Sequence, residues 1–196
     1  MSIQALEKYL PQNSFFYLKN WFSDYHIHIK VTRDRISKLG DYRKLPDNSH
    51  EITINSTLVP QLFFFVLTHE LAHLIAFEKY GRSISPHGYE WKHTFSKMIL
   101  ESLEVYEEDL KPIMLRFSKS PKANFMSSPE LVKYFYNDNN INNEVYVEDI
   151  DIGKMFVYRN QSYLLEGLIK KNYLCRNLSN GKKYSFRPLA RVKKYI

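Results

Sequence analysis

The sequence predicts an α+β domain followed by a small all-β domain. Three observations support this fold class. Apolar residues recur at helical spacing near the N-terminus and again around residue 70, short alternating segments lie between these regions, and the last quarter of the chain consists of short strands separated by turn residues. Hydrophobic residues make up 44% of the 196 residues, which is enough to build folded cores.

The predicted α+β domain spans residues 1–117. Helices are predicted over four segments: 3–22 with a break at Pro11, 60–80, 90–103, and 107–117 with Pro112 as a weak point. Strands are predicted at 26–31, 39–43 and 51–55, and we expect a small three-stranded antiparallel sheet. The longest helix has Pro60 at a favourable first position and Gly81 as its stop signal.

Residues 118–150 are rich in Asn, Ser and Pro, and we interpret them as a linker in which a short helix could follow Pro129. The remaining residues, 151–196, contain five predicted strands: 155–159, 163–169, 173–178, 184–187 and 191–195. Ser179-Asn180-Gly181 is a strong hairpin signal. Five strands in so short a segment predict an SH3-like or OB-like barrel.

The positive charge of the chain is concentrated in this last segment. Residues 151–196 carry 11 Lys and Arg against two acidic residues, whereas residues 1–150 carry a small negative excess. A basic β domain indicates either a polyanion partner such as DNA or a solvated surface. The single cysteine, Cys175, and the lack of a recognisable signal peptide predict a cytoplasmic protein, with association with the nucleoid as an option. No charge-free apolar run is long enough to predict a membrane span.

The long helix contains His69-Glu70-Leu71-Ala72-His73. Residues four apart lie on one helix face, so His69 and His73 could both bind one zinc ion. Glu70 projects about 100° away from His69 and could act as the general base, taking a proton from water during attack and passing it to the leaving amine. The flanking residues are apolar on nearly all sides, and burying three polar groups there without partners would cost several kcal/mol. A metal ion supplies the missing partner.

Catalytic zinc usually has three protein ligands and one open position. His87, in the turn Ser85-Pro86-His87-Gly88, is favoured as the third ligand by its placement. The alternatives all belong to the next helix: His93, Glu90 and Glu101. Trp91 could pack beneath the turn and hold His87, or it could only anchor that helix.

These two motifs together resemble the SprT-like family of zinc metallopeptidases, which includes SprT and Spartan. The family combines H-E-x-x-H with a later loop of the form H-G-x-x-W, which matches His87-Gly88-Tyr89-Glu90-Trp91. The resemblance covers residues 10–105. It implies a zincin-like fold, one zinc ion held by His69, His73 and His87, Glu70 as general base, and proteins bound or crosslinked to DNA as substrates, hence a role in DNA repair.

Many members of the family end in a zinc ribbon with paired cysteines, and this chain has a basic β tail in its place. The tail cations proposed to contact single-stranded or damaged DNA are Lys170, Lys171, Arg176, Lys182, Lys183 and Arg187. Tail aromatics could stack on bases or, more simply, fill the core of the tail. Two other functions stay open: a transcription-associated nucleic-acid-binding module with a structural zinc, and a protease of free regulatory proteins with a protein-docking tail. An extended substrate could pair with a strand, for which 52–55 is our prediction.

Overall fold

The structure is a computed structural model that describes residues 3–35, 38–136 and 144–195. The chain divides into two compact units, Met1–Ser128 and Pro129–Ile196. Each unit has its own sheet, and each is described here by itself. The fold is therefore mixed α+β, as the sequence predicts, with helices concentrated in the first unit.

The first unit contains four α-helices: α1 (Phe15–Phe22), α2 (Pro60–Tyr80), α3 (Tyr89–Glu101) and α4 (Lys111–Ser118). Short 3-10 helices add Ile3–Tyr9, Gln12–Ser14, Leu103–Val105 and Phe125–Ser127. Pro60 begins α2 and Gly81 ends it with φ of 81°, as predicted. The helix predicted from residue 107 begins only at Lys111, because Pro112 occupies its first turn, where the missing N–H costs nothing.

The sheet of the first unit has the order β1 (Ile27–Thr32), β3 (His50–Asn55), β2 (Gly40–Lys44). β2 and β3 are antiparallel, but β1 and β3 are parallel, so the prediction of an antiparallel sheet was wrong. The prediction assumed that consecutive strands are neighbours. Instead β3, whose side chains are buried at five of six positions, takes the centre and gains a hydrogen-bonded partner on each side.

The segment between β1 and β2 therefore crosses the end of β3, and Asn55 holds it there. The fully buried Asn55 amide donates to three acceptors: Asp34 Oδ1 at 3.0 Å and the carbonyl oxygens of Arg35 and Lys38 at 3.1 Å each. Its side-chain oxygen accepts from the Arg35 Nε–H at 2.8 Å. One side chain thus ties both described ends of the crossing segment to β3.

The central place of β3 also corrects the prediction that a substrate would pair with residues 52–55. Both edges of β3 are already occupied, so it has no free backbone groups for another strand. β2 is an edge strand. The Leu39 carbonyl accepts from the Asn55 N–H, and the Leu45 N–H donates to the Ser49 carbonyl, so both groups point towards the β3 side. Backbone groups of alternate residues in a strand point in opposite directions. Gly40, Tyr42 and Lys44 therefore direct their N–H and C=O groups to the other edge of β2, which pairs with no strand among the described residues.

Helix α2 forms the centre of the first unit. Twelve of its 21 residues are buried, and it packs against β2, β3 and α3. By length and composition alone it could cross a membrane, but 67% of its most apolar window is buried inside the structure, as in the core helix of a globular domain.

The second unit contains α5 (Pro129–Tyr136) and a six-stranded antiparallel sheet. Its strands are β4 (Glu144–Tyr146), β5 (Met155–Tyr158), β6 (Gln161–Ile169), β7 (Asn172–Asn177), β8 (Lys183–Phe186) and β9 (Arg191–Lys194), and their order is β4-β9-β5-β6-β7-β8. The five predicted tail strands are confirmed. The sixth, β4, comes from the segment that we interpreted as a linker, and it pairs with β9.

We expect Asn55→Ala to destabilise the first unit by about 2–3 kcal/mol, because it removes several buried hydrogen bonds at once and leaves their partners unpaired. Both tryptophans, Trp21 and Trp91, belong to this unit, so tryptophan fluorescence during urea unfolding reports on it alone. Thr57→Ala is the matched control. Thr57 donates to the same Asp34 carboxylate from an exposed position, and we expect a loss below about 0.5 kcal/mol. Equal losses from the two variants would contradict the role given to Asn55.

Candidate metal centre

Three histidine side chains converge beside α2. His69 and His73 lie one helical turn apart on α2, and His87 lies in the turn before α3. Their Nε2 atoms are 3.3 Å (His69–His73), 3.0 Å (His73–His87) and 3.4 Å (His69–His87) apart. The three residues that the sequence predicts as ligands therefore meet at a single point and could hold a metal ion.

These distances fit a tetrahedral ion. With a Zn–N bond of about 2.0–2.1 Å and tetrahedral angles, neighbouring ligand nitrogens lie about 3.3–3.4 Å apart. Hydrogen bonds alone do not account for the cluster. The Nε2 atom of a neutral imidazole is either a donor or an acceptor, so at least two of the three must have the same role and repel each other. A shared cation removes that conflict, because each lone pair then faces positive charge.

The electrostatics of the cluster keep its imidazoles neutral, which is the form that binds metal. Burial, and then the charges of His73 and His87, lower the pKa of His69 to about 3. Burial, and then His87, lower the pKa of His73 to about 4. The pKa of His87 is lowered as well, mainly by burial and then by Lys92.

Trp91 packs against all three histidines. Its side chain is fully buried, and its ring centroid lies 4.7 Å from that of His69, 5.2 Å from that of His73 and 4.7 Å from that of His87. Of the two interpretations of Trp91, the structure favours the one in which it packs under the ligands. Such contacts restrict the imidazole rings to orientations that suit a metal.

Gly88 closes the turn that presents His87. Its N–H donates to the Ser85 carbonyl at 2.9 Å, and a Cβ at this position would lie 3.0 Å from the Ser85 Cβ and 3.2 Å from the Ser85 carbonyl oxygen. The turn is therefore too tight for a larger residue without adjustment. Immediately after it, α3 begins at Tyr89.

The alternative third ligands lie outside the histidine cluster. His93 stacks on the exposed ring of Tyr89 at 6.0 Å. Glu101, near the end of α3, accepts a hydrogen bond from Trp21 Nε1 at 3.3 Å. Glu90 lies in the first turn of α3, where its negative charge suits the helix dipole.

Glu70 lies on the side of α2 that faces β2. Its side chain is buried, and its carboxylate lies close to the backbone N–H of Tyr42, which favours the charged form slightly. Burial, and then the charge of Asp41, raise the pKa of Glu70 to about 8. Gly40 is in close contact with the same carboxylate, since a Cβ there would lie 2.7 Å from Glu70 Oε1.

Sequence reasoning missed the part of β2 in this site. The ring of Tyr42 is parallel to that of His73, with 6.3 Å between centroids, and the ring of Trp91 also stacks on His73. The Tyr42 hydroxyl is hydrogen-bonded to His50 Nδ1 at 3.1 Å. The glycine inside a predicted strand was the available signal, because such glycines often mark a close approach by another part of the chain.

In the second unit the six predicted DNA-contacting cations separate into different places. Lys170 and Lys171 form the exposed turn between β6 and β7, and Lys182 and Arg187 flank β8. Arg176 and Lys183 are cross-strand neighbours, and both approach Glu166, at 2.7 Å and 3.5 Å. The carboxylate of Glu166 thus offsets part of their charge.

Most of the tail aromatics that could have stacked on bases are core residues instead. Phe156, Tyr163 and Phe186 are buried together, and Tyr158 and Tyr173 pack against them. Tyr184, with 39% of its surface exposed, is the tail aromatic of the proposed set that is most open to solvent. The buried rings therefore fill the core of the tail, as the simpler interpretation predicts.

Comparison with known proteins shows a family match for the first unit. The sequence profile of the SprT-like family matches residues 7–108, which is just over half of the chain and includes α2, the turn with His87 and α3. No curated protein and no solved structure gives a significant match.

We expect the purified protein to bind one zinc ion, and His87→Ala to lower its zinc affinity at least about 10-fold, because two histidines leave the ion short of a ligand. His93→Ala is the matched control, and its affinity should equal that of the wild type. Competition with a chromophoric chelator measures both. Loss of zinc from the His93→Ala protein with retention by His87→Ala would reverse the assignment.

Proposed function

Because the chain belongs to the SprT-like family, we propose that it is a zinc-dependent metallopeptidase that hydrolyses peptide bonds. The observation that supports this most directly is the meeting of three Nε2 atoms within 3.4 Å of one another, with Glu70 on the same helix. A bound zinc ion would act as a Lewis acid that makes water nucleophilic near neutral pH and polarises a carbonyl.

The residues of the chain would bind the ion and transfer the proton. His69, His73 and His87 would hold the ion, and Trp91 would keep their rings in place. Glu70 takes the proton of the attacking water and delivers it to the nitrogen of the leaving amine, so the carboxylate ends the cycle as it began. Its buried position beside the ligands restricts it to few conformations, which favours repeated proton transfer along one path.

The number of ligands favours an enzyme over a module with structural zinc. Structural sites use four protein ligands, whereas catalytic sites leave a position open for water and substrate. Within the described ranges, the histidine group has three members and no Cys, Asp or Glu joins it.

An extended substrate would lie along β2. The outer edge of this strand presents the backbone groups of Gly40 and Lys44 and the carbonyl of Tyr42, and the strand packs on α2 next to Glu70 and His73. Pairing with an edge strand aligns a peptide through its main chain and leaves the choice of side chains broad. Broad specificity suits an enzyme that removes many different proteins from one kind of site.

DNA-associated proteins are the proposed substrates, and the second unit is the proposed DNA contact. The turn of Lys170 and Lys171 is exposed, and two large apolar side chains, Leu168 and Ile169, stand before it with 64% and 45% of their surfaces exposed. Cations at such a tip can reach phosphates without first breaking an ion pair. A cytoplasmic location, with access to the nucleoid, belongs to the same proposal.

We expect Glu70→Gln to lower cleavage of casein or histone by about 10²–10⁴-fold, which is the usual contribution of a general base. Zinc content should not change, because Gln keeps the shape of the side chain and all three ligands remain. Glu104→Gln, the same substitution at a glutamate with 74% of its side chain exposed, serves as the control and should match the wild type. Wild-type activity in the Glu70→Gln protein would refute the mechanism.

For the DNA contact, we compare the double variants Lys170→Gln/Lys171→Gln and Arg176→Gln/Lys183→Gln by fluorescence anisotropy with single-stranded DNA over a range of salt. Each lost phosphate contact should reduce the slope of log K against log salt by about 0.7. The first variant should lose more affinity than the second, whose cations already face Glu166. No binding by the wild type would favour the alternative of a tail that docks proteins. Truncation is less informative, because a cut at residue 151 removes the partner of β4.

A further inference from the structure

The contact between Gly40 and Glu70 is closer than ordinary packing allows. A Cβ at residue 40 would lie 2.7 Å from Glu70 Oε1, 2.7 Å from Val66 Cγ1 and 2.9 Å from Glu70 Cγ. Carbon atoms in contact normally lie about 3.5–4.0 Å apart. The backbone of β2 therefore approaches α2 to a distance that only glycine permits.

The conformation of Gly40 is not what requires glycine. Its φ lies outside the left-handed region, unlike those of Gly81, Gly153 and Gly181, so an alanine could adopt the same backbone angles. The requirement comes from the space that Glu70 and Val66 occupy.

The same approach brings the Glu70 carboxylate close to a backbone N–H. Tyr42, two residues after Gly40, directs its N–H away from β3, and the Glu70 carboxylate lies beside it. A bulkier residue at position 40 would have to displace either Val66, which is β-branched and stiff within a helix, or the end of the flexible Glu70 side chain. The carboxylate is the easier group to move, and moving it away from Gly40 takes it away from the Tyr42 N–H.

We propose that Gly40 is a positioning residue for the reaction: by omitting a side chain, it lets β2 close on α2 and hold the Glu70 carboxylate at the Tyr42 N–H. This inference rests on the proposed function for its kinetic consequence, but the positioning itself is a property of the folded chain and can be measured without activity.

The first test is hydrogen exchange at backbone amides, followed by NMR. In the wild type the Tyr42 amide should be protected although it has no strand partner on its side, because the buried Glu70 carboxylate covers it. Gly40→Ala and Glu70→Ala should both raise its exchange rate by at least about 10-fold. The amides of Asp41 and Arg43, which face β3, are internal references and should not change. Full protection of Tyr42 in the Gly40→Ala protein would overturn the proposal.

The second test is kinetic. Gly40→Ala should lower kcat by about 10²-fold, the usual cost of misplacing a catalytic group by about 1 Å, while KM and zinc content stay within about threefold of the wild type. In the Glu70→Gln background, Gly40→Ala should cause no further loss, because both changes remove the same contribution. If the double variant loses kcat by the product of the two separate effects, Gly40 acts independently of Glu70, and the proposal is overturned.

Two further variants control for folding. Gly167→Ala makes the same substitution in β6, where a new Cβ meets no atom within 4 Å, and it should match the wild type. Gly40→Ala/Val66→Ala removes the contact with Val66 and leaves the one with Glu70. If Gly40→Ala alone does not fold, this double variant decides: fast exchange at Tyr42 supports the proposal, and wild-type protection refutes it. An inactive wild type with the expected exchange pattern would reject the peptidase function and keep the positioning role.

Discussion

The first unit depends on one constraint: a helix that is buried on nearly every side carries two imidazoles and a carboxylate. Polar groups in such a place need partners, and α2 finds them in two directions. Towards α3, His69 and His73 meet His87 above the ring of Trp91. Towards the sheet, Glu70 meets the backbone of β2. The turn before α3 and the order of the strands can both be understood as ways to supply these partners.

Local signals were enough to predict much of this arrangement. Pro60 and Gly81 limit α2 because both act through their own backbone geometry, and the spacing of His69 and His73 determines a shared face of the helix. His87 was harder, since its distance from His73 depends on how the chain turns. Its assignment came from the resemblance as well as from the residues. In the structure, the Nε2 atom of His87 lies 3.0 Å from that of His73.

The features that were missed depend on contacts between segments far apart in sequence. Nothing in the alternation of residues 50–55 indicates that this strand has a partner on both sides, so the parallel pairing of β1 and β3 and the edge position of β2 escaped prediction. Gly40 was assigned correctly to a strand, but its role depends on how closely α2 approaches. The tail shows the opposite case: its strands follow from alternation and turn residues, whereas β4 comes from a segment whose composition resembles a linker.

The crossing segment fastened by Asn55 has a consequence for how the proposed enzyme could diverge. The segment enters β2 immediately before Gly40, yet none of its described residues belongs to the histidine cluster. Substitutions or insertions there would shift the edge strand relative to α2 by small steps while leaving the metal ligands untouched. Under the proposed function, natural variation could therefore change the strand that faces the substrate without changing the histidines, so that related chains could acquire new substrate preferences and keep the proposed metal centre.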